Sequence, residues 1–370
     1  MSDEEYMKLA ISLAEKGCGR VNPNPMVGAV LVKDGQIIGT GFHEKYGGPH
    51  AERNALSSCT VSPEGADLYV TLEPCCHYGK TPPCTEAIIE NKISRVIIGS
   101  SDPNPLVAGK GIEQLKKHGI QVKTDVLKEE CDRLNHVFFH FISTKMPYVV
   151  MKYAMTMDGK TAAASGESKW VTGKEARRRV HEDRNRYTGI MAGIGTVLAD
   201  DPLLTCRIPG GRNPIRIICD TSLKMPLDSK IVATAASVST IILTCCKDEK
   251  KQVPFKEAGC SILEVPEQDG HIHLNAAMKL LGKQNIDSIL LEGGSSLNWS
   301  AMKSSIVNKI QAYIAPKIFG GSSAKSPVGG TGVWYPKDGF FLSPPSVTVL
   351  GNDILLESEV LPCSQELSKK

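Results

Sequence analysis

What this chain lacks narrows its class before any motif is considered. No apolar run in its 370 residues reaches the length that a membrane span requires. The amino end, Met1-Ser2-Asp3-Glu4-Glu5, is acidic where an export signal would be basic. A formal net charge of +3 is too mild to argue for nucleic acid or an anionic membrane as a partner. No long Gly/Ser stretch divides the chain, so its parts are expected to pack directly. Among twelve cysteines there is no Cys-x-x-Cys pair. In a long chain without an export signal these thiols read as reduced rather than disulfide-bonded. The expectation is a cytoplasmic protein with no nucleic-acid or membrane partner.

What is present is a globular composition, 41% hydrophobic and 22% charged, in a length that suits two domains. The organising stretch is His50-Ala51-Glu52, with Pro74-Cys75 and Cys84 further on. One imidazole and two thiolates are what a catalytic zinc takes, leaving a fourth position for water. Glu52 is too close in sequence to ligate beside His50, and well placed to handle protons. His-x-Glu followed by Pro-Cys and a later Cys is the zinc-deaminase pattern, in which the glutamate is general acid/base. A structural zinc would instead close its coordination with a fourth side chain, for instance Cys76 or His77. Adjacent side chains point apart, and Pro74-Cys75 is the signature dipeptide. The metal set therefore reads His50, Cys75 and Cys84, with Cys76 left to packing. Nucleoside and nucleic-acid deaminases generally use Cys-x-x-Cys, whereas eight residues, including Pro82-Pro83, lie between Cys75 and Cys84 here.

Around this motif the first half alternates helices and strands. Tyr6, Leu9, Ala10 and Leu13 fall at helical spacing. Val27 to Val32 and Ile37 to Gly41 predict a hairpin across Lys33-Asp34-Gly35-Gln36. A helix is expected over His50 to Leu56, with His50 and Glu52 in its first turn. Leu68 to Leu72 reads as a strand, and Pro74 as the start of the next helix, whose dipole would favour cysteine thiolates. Strands at Arg95–Gly99 and Ile120–Lys123 and a helix over Lys128 to Ile142 complete an α/β layered domain. The second half alternates again. Strands are expected at Tyr148–Tyr153, Gly189–Gly193, Ile215–Asp220, Thr240–Thr244, Ser288–Glu292, Ile310–Ala315 and Ile354–Glu359. Helices are expected near Lys174–Asn185 and Leu274–Gly282, and Lys247 to Lys251 reads as a charged surface turn. Gly193-Ile-Gly195-Thr-Val-Leu198 has two glycines of a dinucleotide fingerprint but leucine in the third place. Glu292-Gly293-Gly294-Ser295-Ser296 ends a strand in glycines that open a helix, either an anion site or a plain turn.

Pro23-Asn24-Pro25-Met26-Val27-Gly28, His50-Ala51-Glu52, the run from Thr71 to Cys84, and Asp102-Pro103-Asn104-Pro105 together resemble the bifunctional deaminase–reductase of bacterial riboflavin biosynthesis. So do Lys152, Asp158-Gly159-Lys160, Ser168-Lys169-Trp170, Gly195-Thr196 and Asp200-Asp201-Pro202. The resemblance implies a cytidine-deaminase-like αβα zinc domain over residues 1–146. A dihydrofolate-reductase-like α/β domain over 147–362 and a tail over 363–370 would follow. It implies a phosphorylated 2,5-diaminopyrimidinone substrate, which loses its 2-amino group at one zinc per chain. NADPH then reduces the ribosyl group to a ribityl one, and a homo-oligomer is expected. Asn24, His43, His77, Lys80, Asp102 and Asn104 would line the deaminase pocket, with Lys80 and a histidine as phosphate donors. Asn24, Asp102 and Asn104 also stand before prolines, where turn-formers are ordinary. Ala154, Trp170, Thr196, Asp200, Ser222 and the run Gly294, Ser295, Ser296, Leu297, Asn298, Trp299 and Ser300 would meet NADPH. Lys152, Ser168, Arg184, Leu204, Arg207 and Glu292 would face the reductase substrate, with Arg184 and Arg207 as phosphate clamps.

Overall fold

The computed structural model describes residues 1–78, 81–104 and 107–362. The chain divides into two compact units, residues 1–145 and 146–370.

The first unit opens with α1 (Asp3–Glu15), started by a capping box in which Ser2 and Glu5 satisfy each other's backbone N–H groups. Strands β1 (Gly28–Lys33) and β2 (Gln36–Phe42) form the predicted antiparallel hairpin. Asp34 and Gly35 both take positive φ, as a two-residue turn between right-twisted strands requires. Then come α2 (Ala51–Ser57), β3 (Asp67–Leu72), α3 (Cys84–Glu90), β4 (Arg95–Ser100), α4 (Lys110–Lys117) and β5 (Gln121–Lys123). The sheet order is β2-β1-β3-β4-β5, with β3, β4 and β5 parallel.

Alternation along these strands fills two cores. Leu31, Leu68, Val70, Val96 and Ile98 pack with Ala51 and Ala55 of α2, Ile88 of α3 and Leu115 of α4. Val30, Val32, Tyr69 and Ile97 pack on the other side with Tyr6, Met7, Ala10 and Leu13 of α1. Helices thus cover both faces, and the αβα expectation holds.

Three sequence expectations give way. The helix expected from Pro74 begins at Cys84 instead, with Pro83 as its cap, so Cys75 and Cys76 lie in the preceding loop. The run Asp67-Leu72-Glu73 is still bound to its sheet neighbour there, Glu73 N–H donating to Ser100 O, which delays the turn. His50 caps α2 in an extended conformation rather than entering its first turn. The helix expected over Lys128 to Ile142 is two, α5 (Lys128–Leu134) and α6 (His136–Thr144). Asn135 breaks it because its side-chain amide brackets Met26, accepting from Met26 N and donating to Met26 O, both at 2.9 Å.

The second unit holds β6 (Tyr148–Thr156), α7 (Lys174–Arg186), β7 (Gly189–Gly193), α8 (Ile194–Asp200), β8 (Ile215–Cys219) and α9 (Lys230–Ala233). Next come β9 (Thr240–Thr244), α10 (Glu249–Glu257), β10 (Ser261–Glu264), a small ribbon of β11 (Glu267–Gln268) and β12 (His271–Ile272), and α11 (Leu274–Lys283). The remainder is β13 (Ser288–Leu291), α12 (Ser295–Lys303), β14 (Lys309–Ala315), β15 (Ser346–Leu350) and β16 (Asp353–Glu359). Their nine-stranded sheet runs β10-β9-β8-β7-β13-β6-β14-β16-β15, parallel as far as β14. Because helices cover both faces, strands such as Thr240–Thr244 are buried throughout, which explains runs without alternation. Lys247 to Lys251 is not a simple turn, since Asp248 caps α10 within it. The tail at 363–370 lies outside the described residues.

Candidate active sites

The metal candidates meet at the carboxyl ends of β3 and β4, where parallel strands leave a crevice. His50 Nδ1 lies 3.5 Å from Cys75 Sγ and 3.4 Å from Cys84 Sγ, and the three donor atoms fall within 4.8 Å of one another. Ligands at about 2.0–2.1 Å and 2.3 Å in a tetrahedral site would stand about 3.6 Å apart, so the set fits zinc. Cys76 is not in the group. Thr81 Oγ1 stands 3.3 Å from His50 Nε2, a partner that leaves Nδ1 free to ligate. Arg53 on α2 donates to Pro82 O and Pro83 O, which seats the start of α3 and with it Cys84.

The two neighbouring thiols are shifted in opposite directions. Hydrogen bonding with Cys84, followed by His50, outweighs burial and lowers Cys75 to about 4. Cys84 N–H also donates to Cys75 Sγ at 3.3 Å, so Cys75 receives the helix-end field through space rather than by sequence position. Cys84, the donor in this exchange, is pushed well up. Glu52 is buried beside them; burial first, then the charge of Cys75, raises its carboxyl above the ordinary range.

The remaining deaminase candidates fall into different situations. His43 Nδ1 is 3.0 Å from Pro49 O, which can only accept, so the ring proton sits there and Nε2 accepts from Asn24 Nδ2 at 3.2 Å. Burial lowers its pKa. His43 is therefore neutral and committed to orienting Asn24, and has no charge to offer a phosphate. Asp102 is buried and pushed up to about 6, chiefly by desolvation, and accepts from Asn104 N at 2.8 Å. His77 is half-buried and its Nδ1 has no partner among the described residues. Lys80 lies outside the described residues.

In the second unit the two glycine motifs end adjacent parallel strands, β7 and β13, and open α8 and α12. A Cβ on Gly294 would lie 3.5 Å from Thr196 Oγ1, and one on Gly195 would meet nothing within 4 Å. Neither Gly193 nor Gly294 has a side chain to cap its helix, and the two helix starts lie side by side, an arrangement suited to a nucleotide phosphate. Ser295, Ser296 and Leu297 follow on the first turn of α12. Asn298 is buried and donates to Pro327 O, and Trp299 lies under Gly330, whose added Cβ would come within 2.0 Å of the indole. Those two side chains are occupied by the 327–330 segment, so the run to Ser300 does not present a single face. Trp170 is 59% exposed with Arg177 stacked 4.6 Å above its ring, and so is no core aromatic. Asp200 and Ser222 are exposed; Ala154 and Ser300 are half-buried.

Among the substrate candidates, Glu292 is held by a fork. Arg184 Nε and Nη2 donate to its two oxygens at 2.7 and 3.0 Å, and Lys152 Nζ lies 3.6 Å away. Burial alone would raise the carboxyl, but Arg184 and then Lys152 bring it down to about 2. This supplies the partner that a lysine on the apolar β6 needs. Arg184 also donates to Thr205 O, so it is a clamp on Glu292 before it is one on phosphate. Arg207 is the exposed cation, with Nε 3.2 Å from His181 Nε2. Leu204 is buried at positive φ, and Ser168 half-buried.

Sequence reasoning missed His181 and Glu73. His181, one turn before Arg184, is lowered to about 4 by burial and by Arg184 and Arg207. Glu73 is 3% exposed beside Pro74-Cys75, and a carboxylate at the end of an apolar strand was the available signal.

A zinc-type pyrimidine deaminase unit joined in one chain to a reductase unit on a parallel sheet is the class that fold and sites define. Residues 1–100 match the family described as the cytidine and deoxycytidylate deaminase zinc-binding region, and residues 147–356 match the RibD C-terminal domain. The riboflavin biosynthesis protein RibD of Actinobacillus pleuropneumoniae is 52% identical over 98% of this chain and 96% of its own. That of Escherichia coli is 39% identical over 86% and 89%. Among solved structures, Acinetobacter baumannii RibD superimposes with a TM-score of 0.87 at 36% identity, covering 97% of this chain and 99% of that one. The deaminase/reductase of Thermotoga maritima gives 0.82 at 38% over the same shares. The chain belongs to the RibD family, the bifunctional deaminase–reductases of riboflavin biosynthesis, with a zinc deaminase domain and an NADPH-dependent reductase domain.

Proposed function

We propose that residues 1–146 deaminate 2,5-diamino-6-(5-phosphoribosylamino)pyrimidin-4(3H)-one and that residues 147–362 reduce the product to 5-amino-6-(5-phosphoribitylamino)uracil. The observation that carries this reading is the convergence of His50, Cys75 and Cys84 on one point beside a buried Glu52. Zinc held by these three residues supplies Lewis-acid activation of water, lowering its pKa to about 7. Glu52 moves two protons in turn: the first leaves the water for the ring nitrogen, and the second leaves the hydroxyl of the addition product for the departing amine, which goes as ammonia. Its raised affinity for a proton suits a group that must hold one between two transfers. Asn24, oriented by His43, and Asp102 with Asn104 bind the pyrimidinone edge, and the phosphate donors proposed are His77 and, outside the described residues, Lys80.

In the second half NADPH supplies hydride to C1 of the opened ribose. Amides of the Gly193–Thr196 and Gly294–Leu297 turns bind its phosphates, with Ala154, Trp170, Asp200 and Ser222 around it. Lys152, fixed against Glu292, polarises the sugar oxygen. Ser168, Leu204, Arg184 and Arg207 bind the substrate, Arg207 taking most of the phosphate. The test is incubation with the diaminopyrimidinone phosphoriboside with and without NADPH, following ammonia and nicotinamide absorbance together. Ammonia release without NADPH, and NADPH oxidation only after it, is the expected result. Oxidation that precedes ammonia release would reverse the order.

A cytoplasmic location is proposed from the reduced thiols, the described cysteines being free. Among the described residues no helix is long and apolar enough to cross a membrane. Self-association is favoured by the edge strand β15, where Val347 and Val349 are 62% and 70% exposed, and by exposed Trp334 and Phe341. Light scattering on the wild type and Val349→Lys checks it, the variant being expected to have the lower mass.

A further inference from the structure

Glu73 accepts four backbone hydrogen bonds and serves no catalytic step. Its Oε2 accepts from Asp102 N at 3.4 Å and from Gly109 N at 3.1 Å, and its Oε1 from Gly111 N at 3.1 Å and Ile112 N at 3.3 Å. Its own N–H donates to Ser100 O at the end of β4. One carboxylate therefore ties the end of β3, two residues before Cys75, to the 102–104 turn and to the first turn of α4. Gly111 gives an independent sign of the same docking. A Cβ there would lie 2.2 Å from Pro74 O, so α4 rests directly on the Glu73-Pro74 backbone. Four amide donors on a buried anion are strong and directional, and a neutral amide in its place could accept on one side only.

We propose that Glu73 is a positioning residue of the deaminase, fixing the Asp102–Asn104 turn against the zinc-ligand loop so that substrate and metal set stay in register. The inference rests on the reading that Asp102 binds the substrate. It separates Glu73 from a fold-stabilising cap, because its effect falls on substrate binding rather than on metal or fold.

Glu73→Gln is to be assayed for zinc content, for KM and kcat of ammonia release, and for reduction of supplied deaminated intermediate. Zinc should stay at one per chain and reduction should be unchanged. KM should rise by roughly tenfold or more, the loss of one charge-assisted hydrogen bond, with kcat falling less. Gly111→Ala, which moves the amides and leaves the carboxylate, should give the same split and stands in if Glu73→Gln does not fold. Wild-type KM in Gly111→Ala, or parallel loss of zinc and kcat in Glu73→Gln, would overturn the proposal. Asp102→Asn separates the two levels. If it leaves KM unchanged, the substrate reading fails; if it raises KM while folded Glu73→Gln does not, Glu73 has no positioning role.

Discussion

Glu52, which is buried, and Glu292, which is half-buried, are the same side chain at two sites, and their carboxyls are shifted in opposite directions. For Glu52, burial first and then the charge of Cys75 raise the carboxyl, against a smaller pull from His50. Desolvation pushes Glu292 upward too, but Arg184 and Lys152 bring it down to about 2. The difference is chiefly one of partner. The raised carboxyl can hold a proton, and the lowered one is a fixed charge that holds Arg184 and Lys152 in place.

The sharpest way to break this comparison is to remove the metal set. Cys75→Ala or Cys84→Ala should bind no zinc and show no ammonia release, with NADPH-dependent reduction of deaminated intermediate intact. Cys76→Ala should keep full zinc by metal analysis. Next, Glu52→Gln should lower deamination roughly 10²- to 10⁴-fold with zinc retained, since the group carries protons and does not ligate. Equal loss of both activities in a zinc-loaded protein would end the division of labour. Third, Glu292→Gln strands Arg184 and Lys152 and should destabilise the second unit by about 3–5 kcal/mol, measured by denaturant titration.

A smaller effect sharpens the contrast through pH. Glu292 has a folded pKa below its ordinary 4.5, so its stabilisation is fully present above that value. It is lost as pH falls from about 4.5 towards 2. All three tryptophans, Trp170, Trp299 and Trp334, lie in the second unit, so intrinsic fluorescence reads its acid unfolding alone. Glu292→Gln should flatten the stability profile across that window. The smallest change expected is Arg207→Ala, which should raise the reductase KM by about tenfold with kcat nearly kept.

How much of this was legible in the sequence depends on the range of the interaction. The hairpin at Asp34-Gly35 and the metal set were readable because local turn chemistry and ligand type write themselves into short motifs. The delayed start of α3 was not, since Glu73 bonds to Ser100 and Arg53 to Pro82 and Pro83, partners that only the folded chain brings near. The fork of Arg184 on Glu292 was hidden for the same reason, the two partners lying 108 residues apart. Likewise a neutral His43 cannot be told from a cationic one until Pro49 O and Asn24 are seen beside it.

The Asn135 bracket on Met26 spans 109 residues, and it sets a timetable. A chain emerging from the ribosome exposes Asn24, His50, Cys75 and Cys84 long before residue 135 leaves the exit tunnel. Until then Met26, two residues from Asn24, lacks this clasp. The first unit therefore finishes assembling its pocket only when almost all of it has been made, and a fragment ending at residue 100, where the deaminase-family match stops, would hold the zinc ligands without the clasp.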